Sequence, residues 1–168
     1  SPTSRRHGTM LSCPRIRCRS AEAWREGRVV DTVDKATRSR MMAAIGPVDT
    51  APEIAVRRYL HACGLRFRLH DRSLPGRPDV VFAGARIALF VHGCFWHRHP
   101  GCRYATTPSS NASFWASKFG ANIARDAAKS DRLRELGWTP LVIWECETRD
   151  PDEIDRLYWR VRGAACPR

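Results

Sequence analysis

Hydrophobic and polar positions change period several times along the chain, and each change marks a predicted element. Residues 1 to about 30 show neither a helical nor an alternating apolar period and mix seven Arg and two Glu with Ser, Pro and Gly. They read as a disordered basic extension. From Asp34 to Ile45 a helix is expected, with Met41, Met42 and Ile45 sharing one face and Gly46-Pro47 ending it. Thr50-Ala51-Pro52-Glu53 reads as a capping box with Pro in the first turn. The helix it opens carries the stripe Ile54, Val56, Tyr59, Leu60 and Cys63, and Gly64 closes it.

Beyond Gly64 the period shortens. Leu65, Phe67 and Leu69 alternate with Arg66, Arg68 and His70, which predicts a half-buried strand. A turn over 74–78 leads to two short apolar runs, 79–82 and 87–91, separated by Gly84 and read as a hairpin of buried strands. Residues 93–112 lack a period and are expected to be a loop. A helix follows from about Ser113 to Leu136, stopped by Gly137. Leu141–Trp144 is a further buried strand, and a last helix starts near Pro151 with Ile154, Leu157, Tyr158 and Val161 on its apolar face. The order α-α-β-β-β-α-β-α implies an α/β fold: a central mixed sheet with helices on both faces, in one domain over 31–168.

Charge adds a partner. Lys and Arg total 29 against 17 Asp and Glu, for a formal +12. Removing residues 1–30 leaves +7, so the imbalance belongs to the domain and favours a phosphate polyanion. Arg makes up 26 of the 29 basic residues, which GC-rich coding would also produce. The seven cysteines are odd in number and not spaced as in a secreted disulfide scaffold. With no apolar run long enough to span a bilayer and no recognisable signal peptide, the expectation is a soluble, cytoplasmic, nucleoid-associated protein without membrane partners, acting as a monomer.

The densest chemical signal is Cys94-Phe95-Trp96-His97-Arg98-His99-Pro100-Gly101-Cys102. Tetrahedral zinc takes four thiolate or imidazole donors. Cys94, His99 and Cys102 supply three, and Cys146, just after the Leu141–Trp144 strand, is the best-placed fourth; such a closed set is structural. Asp79 follows a Gly/Pro turn at the head of a strand, a position that fixes a carboxylate at a sheet edge. His92 ends the paired strand beside it and leads into the Cys/His loop. Glu53 is explained by the capping box and is also compatible with a role near a metal. Phe95, Trp96 and Trp115 are aromatics beside basic residues, as in proteins that insert wedges into a base stack.

The segments 34–39 (Asp-Lys-Ala-Thr-Arg-Ser), 73–79 (Ser-Leu-Pro-Gly-Arg-Pro-Asp), 92–97 (His-Gly-Cys-Phe-Trp-His), Phe114-Trp115 and Trp144-Glu145-Cys146 together resemble the very-short-patch-repair (Vsr) endonuclease family over about two-thirds of the chain. The resemblance implies a restriction-endonuclease-like fold with a structural zinc. It also implies hydrolysis of the phosphodiester 5′ of the mismatched T in a T·G pair, a single-strand nick made with two magnesium ions. Asp79 would bridge the metals and the main-chain carbonyl of Val91 would be a further ligand. His97 would act on the attacking water, and His92 and Glu53 would hold metal-bound waters. Phe95, Trp96 and Trp115 would enter the DNA from one groove and Met42 and Ile45 from the other. Double-stranded DNA with a T·G mismatch is the implied substrate, with mismatch-repair proteins and a cytosine-5 methyltransferase as functional partners. Two departures stand out: Val91 occupies a position where the family usually has Thr, and Pro100-Gly101 makes the His99 to Cys102 spacing one residue longer than the family pattern. The competing readings are a conventional restriction endonuclease and a non-catalytic zinc-containing DNA-binding module.

Overall fold

The computed structural model describes residues 48–108 and 111–165. The expected helix over 34–45, with Met42 and Ile45, and the basic extension lie outside these residues. The described elements are α1 (Ala51–Ala62), β1 (Arg68–Leu69), β2 (Val80–Phe82), β3 (Ile87–His92), α2 (Ala112–Glu135), β4 (Thr139–Trp144) and α3 (Pro151–Ala165). None of the described helices is long and apolar enough to cross a membrane.

The four strands form one mixed sheet in the order β1-β2-β3-β4. β2 and β3 pair antiparallel, with Val80 opposite Leu89 and Phe82 opposite Ile87. β3 and β4 run parallel from Ile87/Thr139 to His92/Trp144. The parallel pair requires a crossover, and α2 supplies it. Alternate strand residues then face opposite layers. Val80, Phe82, Ile87, Leu89, Leu141 and Ile143 pack with Val56 and Leu60 of α1 and with Ile154, Leu157, Tyr158 and Val161 of α3. Ala88 and Phe90 turn the other way, toward Leu133 of α2, with Leu74, Trp138 and Val142 around them. Both faces are covered, which is why β2 and β3 read as continuous apolar runs rather than alternating ones.

Two details depart from the sequence reading. At the start of α1 the Thr50 hydroxyl does not cap a backbone N–H. It donates to Glu53 Oε1 at 2.8 Å, and Glu53 Oε2 accepts the Asp49 N–H at 3.1 Å, so Glu53 gathers donors rather than completing a reciprocal box. The 65–69 strand shrinks to Arg68–Leu69, both exposed. Leu65 and Phe67 still pack on the core, but Leu69 is 46% exposed and His70 takes a positive φ of 49°, so the alternation stops there. The expected hairpin around Gly84 forms, with Arg86 in the left-handed region (φ 49°) before β3. Gly64 ends α1 at φ 86°, with Leu65 N–H bonded back to Leu60 O at 3.0 Å, as a helix-terminating glycine does.

Candidate active site and metal centre

The turn before β2 sets the position of Asp79. Arg77 N–H closes it on Leu74 O at 3.1 Å, Gly76 and Arg77 hold φ of 79° and 52°, and Pro78 is fully buried. Asp79 Oδ2 then accepts the Val91 N–H at 2.7 Å, which ties the carboxylate to the penultimate residue of β3. Oδ1 has no hydrogen bond among the described residues. Burial pushes the Asp79 carboxyl above its ordinary range, and the charge of Glu53 adds to this, against the Val91 hydrogen bond.

At the end of β3 the His92 ring stacks on His97, centroids 4.0 Å apart at 12°, and meets Trp144 edge-on at 5.5 Å. Burial, reinforced by the neighbouring His97, lowers His92 to about 4, so it is a neutral imidazole near neutral pH. His97 reaches the site because its N–H folds back onto Gly93 O at 3.1 Å. Its Nδ1 lies 2.5 Å from Asp126 Oδ2 on α2. A neutral His97 that donates from Nδ1 keeps Nε2 as its basic nitrogen. Burial opposes ionisation of Asp126, but the hydrogen bond and charge of His97 outweigh it and hold the carboxyl below its ordinary range.

Asp79, Val91, His92, His97, Asp126, Glu53 and Lys129 all line one cleft of ≈ 990 Å³. Glu53 sits at its far wall, 5% exposed, and also accepts from Arg57 Nη2 at 2.5 Å. Arg57 reaches Asp49 with its other terminal nitrogen and His70 Nε2 at 2.9 Å, so it neutralises the acids of this wall. The sequence reading brought Asp79, Val91, His92, His97 and Glu53 to one place, and it missed Asp126. On α2, Asp126 lies between Arg125 and Lys129 and reads as one charge of a solvated face. Only the packing of that helix against the 93–97 turn reveals its partner.

The thiol and imidazole donors converge separately. Cys94, His99, Cys102 and Cys146 each offer a ligand atom, and these atoms all lie within 4.8 Å of one another. Cys102 and Cys146 Sγ are 3.8 Å apart, and His99 Nδ1 is 3.2 Å from Cys146 Sγ and 3.8 Å from Cys94 Sγ. His99 is therefore in the cluster despite the Pro100-Gly101 spacing, helped by positive φ at Arg98 and Gly101 (57° and 69°). Its ring lies flat on Trp144 at 4.3 Å. Burial and the crowding of three thiols push Cys146 up to about 12, a cost that a bound cation relieves. The group can hold a metal ion.

The aromatics form one cluster beside the cleft. Phe95 lies 5.1 Å from Trp96, 5.6 Å from Trp115 and 5.3 Å from Phe119, all edge to face. Phe119 is buried, whereas Phe95, Trp96 and Trp115 are half-buried and Phe114 is 56% exposed. Asn122 donates to the Trp96 carbonyl at 3.0 Å and Lys118 Nζ lies 5.4 Å from the Trp96 ring, two supports that the sequence pattern did not single out.

The sequence profile of the family described as DNA mismatch endonuclease Vsr matches residues 30–103. The Type II nicking enzyme V.XorIIP of Xanthomonas oryzae pv. oryzae is 46% identical over 139 residues, 83% of this chain and 99% of that protein. The DNA mismatch endonuclease Vsr of Escherichia coli K12 is 45% identical over 126 residues, 75% of this chain and 80% of its own length. The Type II nicking enzyme V.NmeAIP of Neisseria meningitidis serogroup A is 33% identical over 140 residues, 81% of this chain and 99% of that protein.

Proposed function

The chain belongs to the Vsr family of DNA mismatch endonucleases, and from that premise we propose that it nicks duplex DNA on the 5′ side of the T in a T·G mismatch, using magnesium held at Asp79. The observation that carries this reading is the His97–Asp126 pair, 2.5 Å apart, stacked on neutral His92 in the same cleft as Asp79. A carboxylate on Nδ1 orients the ring and stabilises it once Nε2 has taken a proton from an attacking water. A carboxylate destabilised by burial and by a neighbouring acid, with no hydrogen bond to Oδ1 among the described residues, suits a hard divalent cation.

Asp79 and the main-chain carbonyl of Val91 would hold magnesium, with His92 and Glu53 lining the space around it. When bound, magnesium supplies charge neutralisation at the scissile phosphate and at the leaving oxygen. The chain's own contribution is placement. Asp79 is locked to β3 by Val91, and His97 is aimed by Asp126. His92 cannot accept a second charge near pH 7, which keeps the ring stack from repelling the proton that His97 receives.

Zinc is the ion we assign to Cys94, His99, Cys102 and Cys146. Thiolates at ~2.3 Å in a tetrahedron stand about 3.8 Å apart, and the Cys102–Cys146 separation is 3.8 Å. Its role is structural, joining the 94–102 loop to the end of β4. The aromatic cluster supports mismatch recognition, because a wobble pair unstacks at lower cost than a matched pair and large side chains entering there gain from the difference.

Strand-labelled duplexes carrying T·G or T·A at one position, incubated with magnesium or a chelator, test the reading. A nick beside T in the T·G duplex alone, with magnesium only, is the expected result. Cutting of both strands of the T·A duplex would overturn it in favour of a conventional restriction endonuclease.

A further inference from the structure

Five carboxylates line the cleft, from Asp49, Glu53, Asp79, Asp126 and Glu145, against two permanently cationic side chains, Arg77 and Lys129. Arg57 neutralises Asp49 and Glu53 and Arg149 pairs with Glu145, so the carboxylates a DNA backbone meets there are Asp79 and Asp126, and a cation at Asp79 relieves that repulsion at one end only. The other end is the His97–Asp126 pair, and there Lys129 stands one helical turn beyond Asp126, its Nζ 3.2 Å from Asp126 Oδ1. Asp126 thus divides its oxygens, Oδ2 to His97 and Oδ1 to Lys129.

The Lys129 stem is not free to wander. It crosses Gly76 so closely that a Cβ there would fall 2.8 Å from Cδ, 3.1 Å from Cγ and 3.3 Å from Cβ of the lysine. Gly76 is required twice, by its φ of 79° and by this close approach. The ammonium, 34% exposed as a side chain, makes one hydrogen bond among the described residues, to Asp126, and has two further N–H donors to offer. In a chain whose 29 basic residues include only three lysines, the two described ones, Lys118 and Lys129, lie at the aromatic cluster and in the cleft.

We infer that Lys129 seats a backbone phosphate of the cleaved strand beside His97, while its bond to Asp126 Oδ1 keeps that carboxylate turned toward the imidazole. The inference rests on the DNA-nuclease reading above. Its test measures binding alone, without divalent metal, on matched and T·G duplexes across salt concentrations. Each phosphate neutralised contributes ~0.9 to the slope of log affinity against log salt. Lys129→Met preserves the stem over Gly76 and removes the charge, so the slope should fall by about 1, equally for both duplexes. Lys129→Arg should keep the wild-type slope. Lys129→Gln provides a second neutral variant, and thermal melting verifies that each is folded. An unchanged slope in folded Lys129→Met or Lys129→Gln overturns the phosphate seat. Wild-type protein that binds with the expected slope but does not nick would overturn the nuclease reading and leave the Lys129 comparison standing. Wild-type protein with no affinity for duplex DNA would overturn both.

Discussion

His97 Nδ1 and Asp126 Oδ2, 29 residues apart in sequence, meet at 2.5 Å across the cleft, and this pairing decides which imidazole nitrogen faces the chemistry. Asp126→Asn keeps the shape but can present an amide N–H to Nδ1, which favours the tautomer protonated at Nε2. Single-turnover nicking of a T·G duplex should fall ~10²-fold or more, while duplex affinity stays within a few-fold. His97→Ala should fall by at least as much, and the double variant should lose little beyond the larger single effect, because the two act as a unit. Additive losses would assign them separate roles.

The two carboxylates near the proposed magnesium should separate by stability. Asp79→Asn retains the Val91 hydrogen bond through its side-chain oxygen and should abolish nicking with little change in melting temperature. Glu53→Ala leaves the Arg57 guanidinium, 11% exposed, without its buried partner and should cost on the order of 2–4 kcal/mol in folding free energy besides its effect on nicking. Denaturant unfolding of both variants verifies this. A fully stable Glu53→Ala would show that Arg57 is balanced by Asp49 alone.

Freshly purified protein that has met no chelator should hold about one zinc per chain by elemental analysis. Cys146→Ser should lose the metal and melt roughly 5–10 °C lower, the shift of ~2–3 kcal/mol in a domain of this size. His99→Ala should do the same, since His99 Nδ1 lies within 3.8 Å of both Cys94 and Cys146 Sγ. Normal zinc content in His99→Ala would reduce the set to three thiols and an outside ligand.

Trp96→Ala removes a ring that packs against Phe95 and Trp115 at 5.1 and 6.2 Å without touching the thiol cluster. The ratio of T·G to T·A duplex affinity should fall about tenfold, ~1.4 kcal/mol, at unchanged zinc content. Equal loss on both duplexes would make Trp96 a packing residue and leave discrimination to hydrogen bonds with the wobble pair.

The sequence by itself determined what depends on local pattern. Apolar runs at 79–82, 87–91 and 141–144, the glycine after α1 and the tight Cys94–Cys102 spacing were legible because strand burial and helix termination are satisfied within a few residues and three of the four clustered donors fall in one short loop. The same locality led to one misreading: Thr50 to Glu53 matches a capping box by spacing, yet Glu53 is drawn toward Arg57. Tertiary structure alone decided the partners. Asp126 reached His97, Lys129 crossed Gly76 and Trp144 came between His92 and His99 because α2 crosses from β3 to the parallel β4, and no periodicity within a segment records which neighbour the crossover will bring.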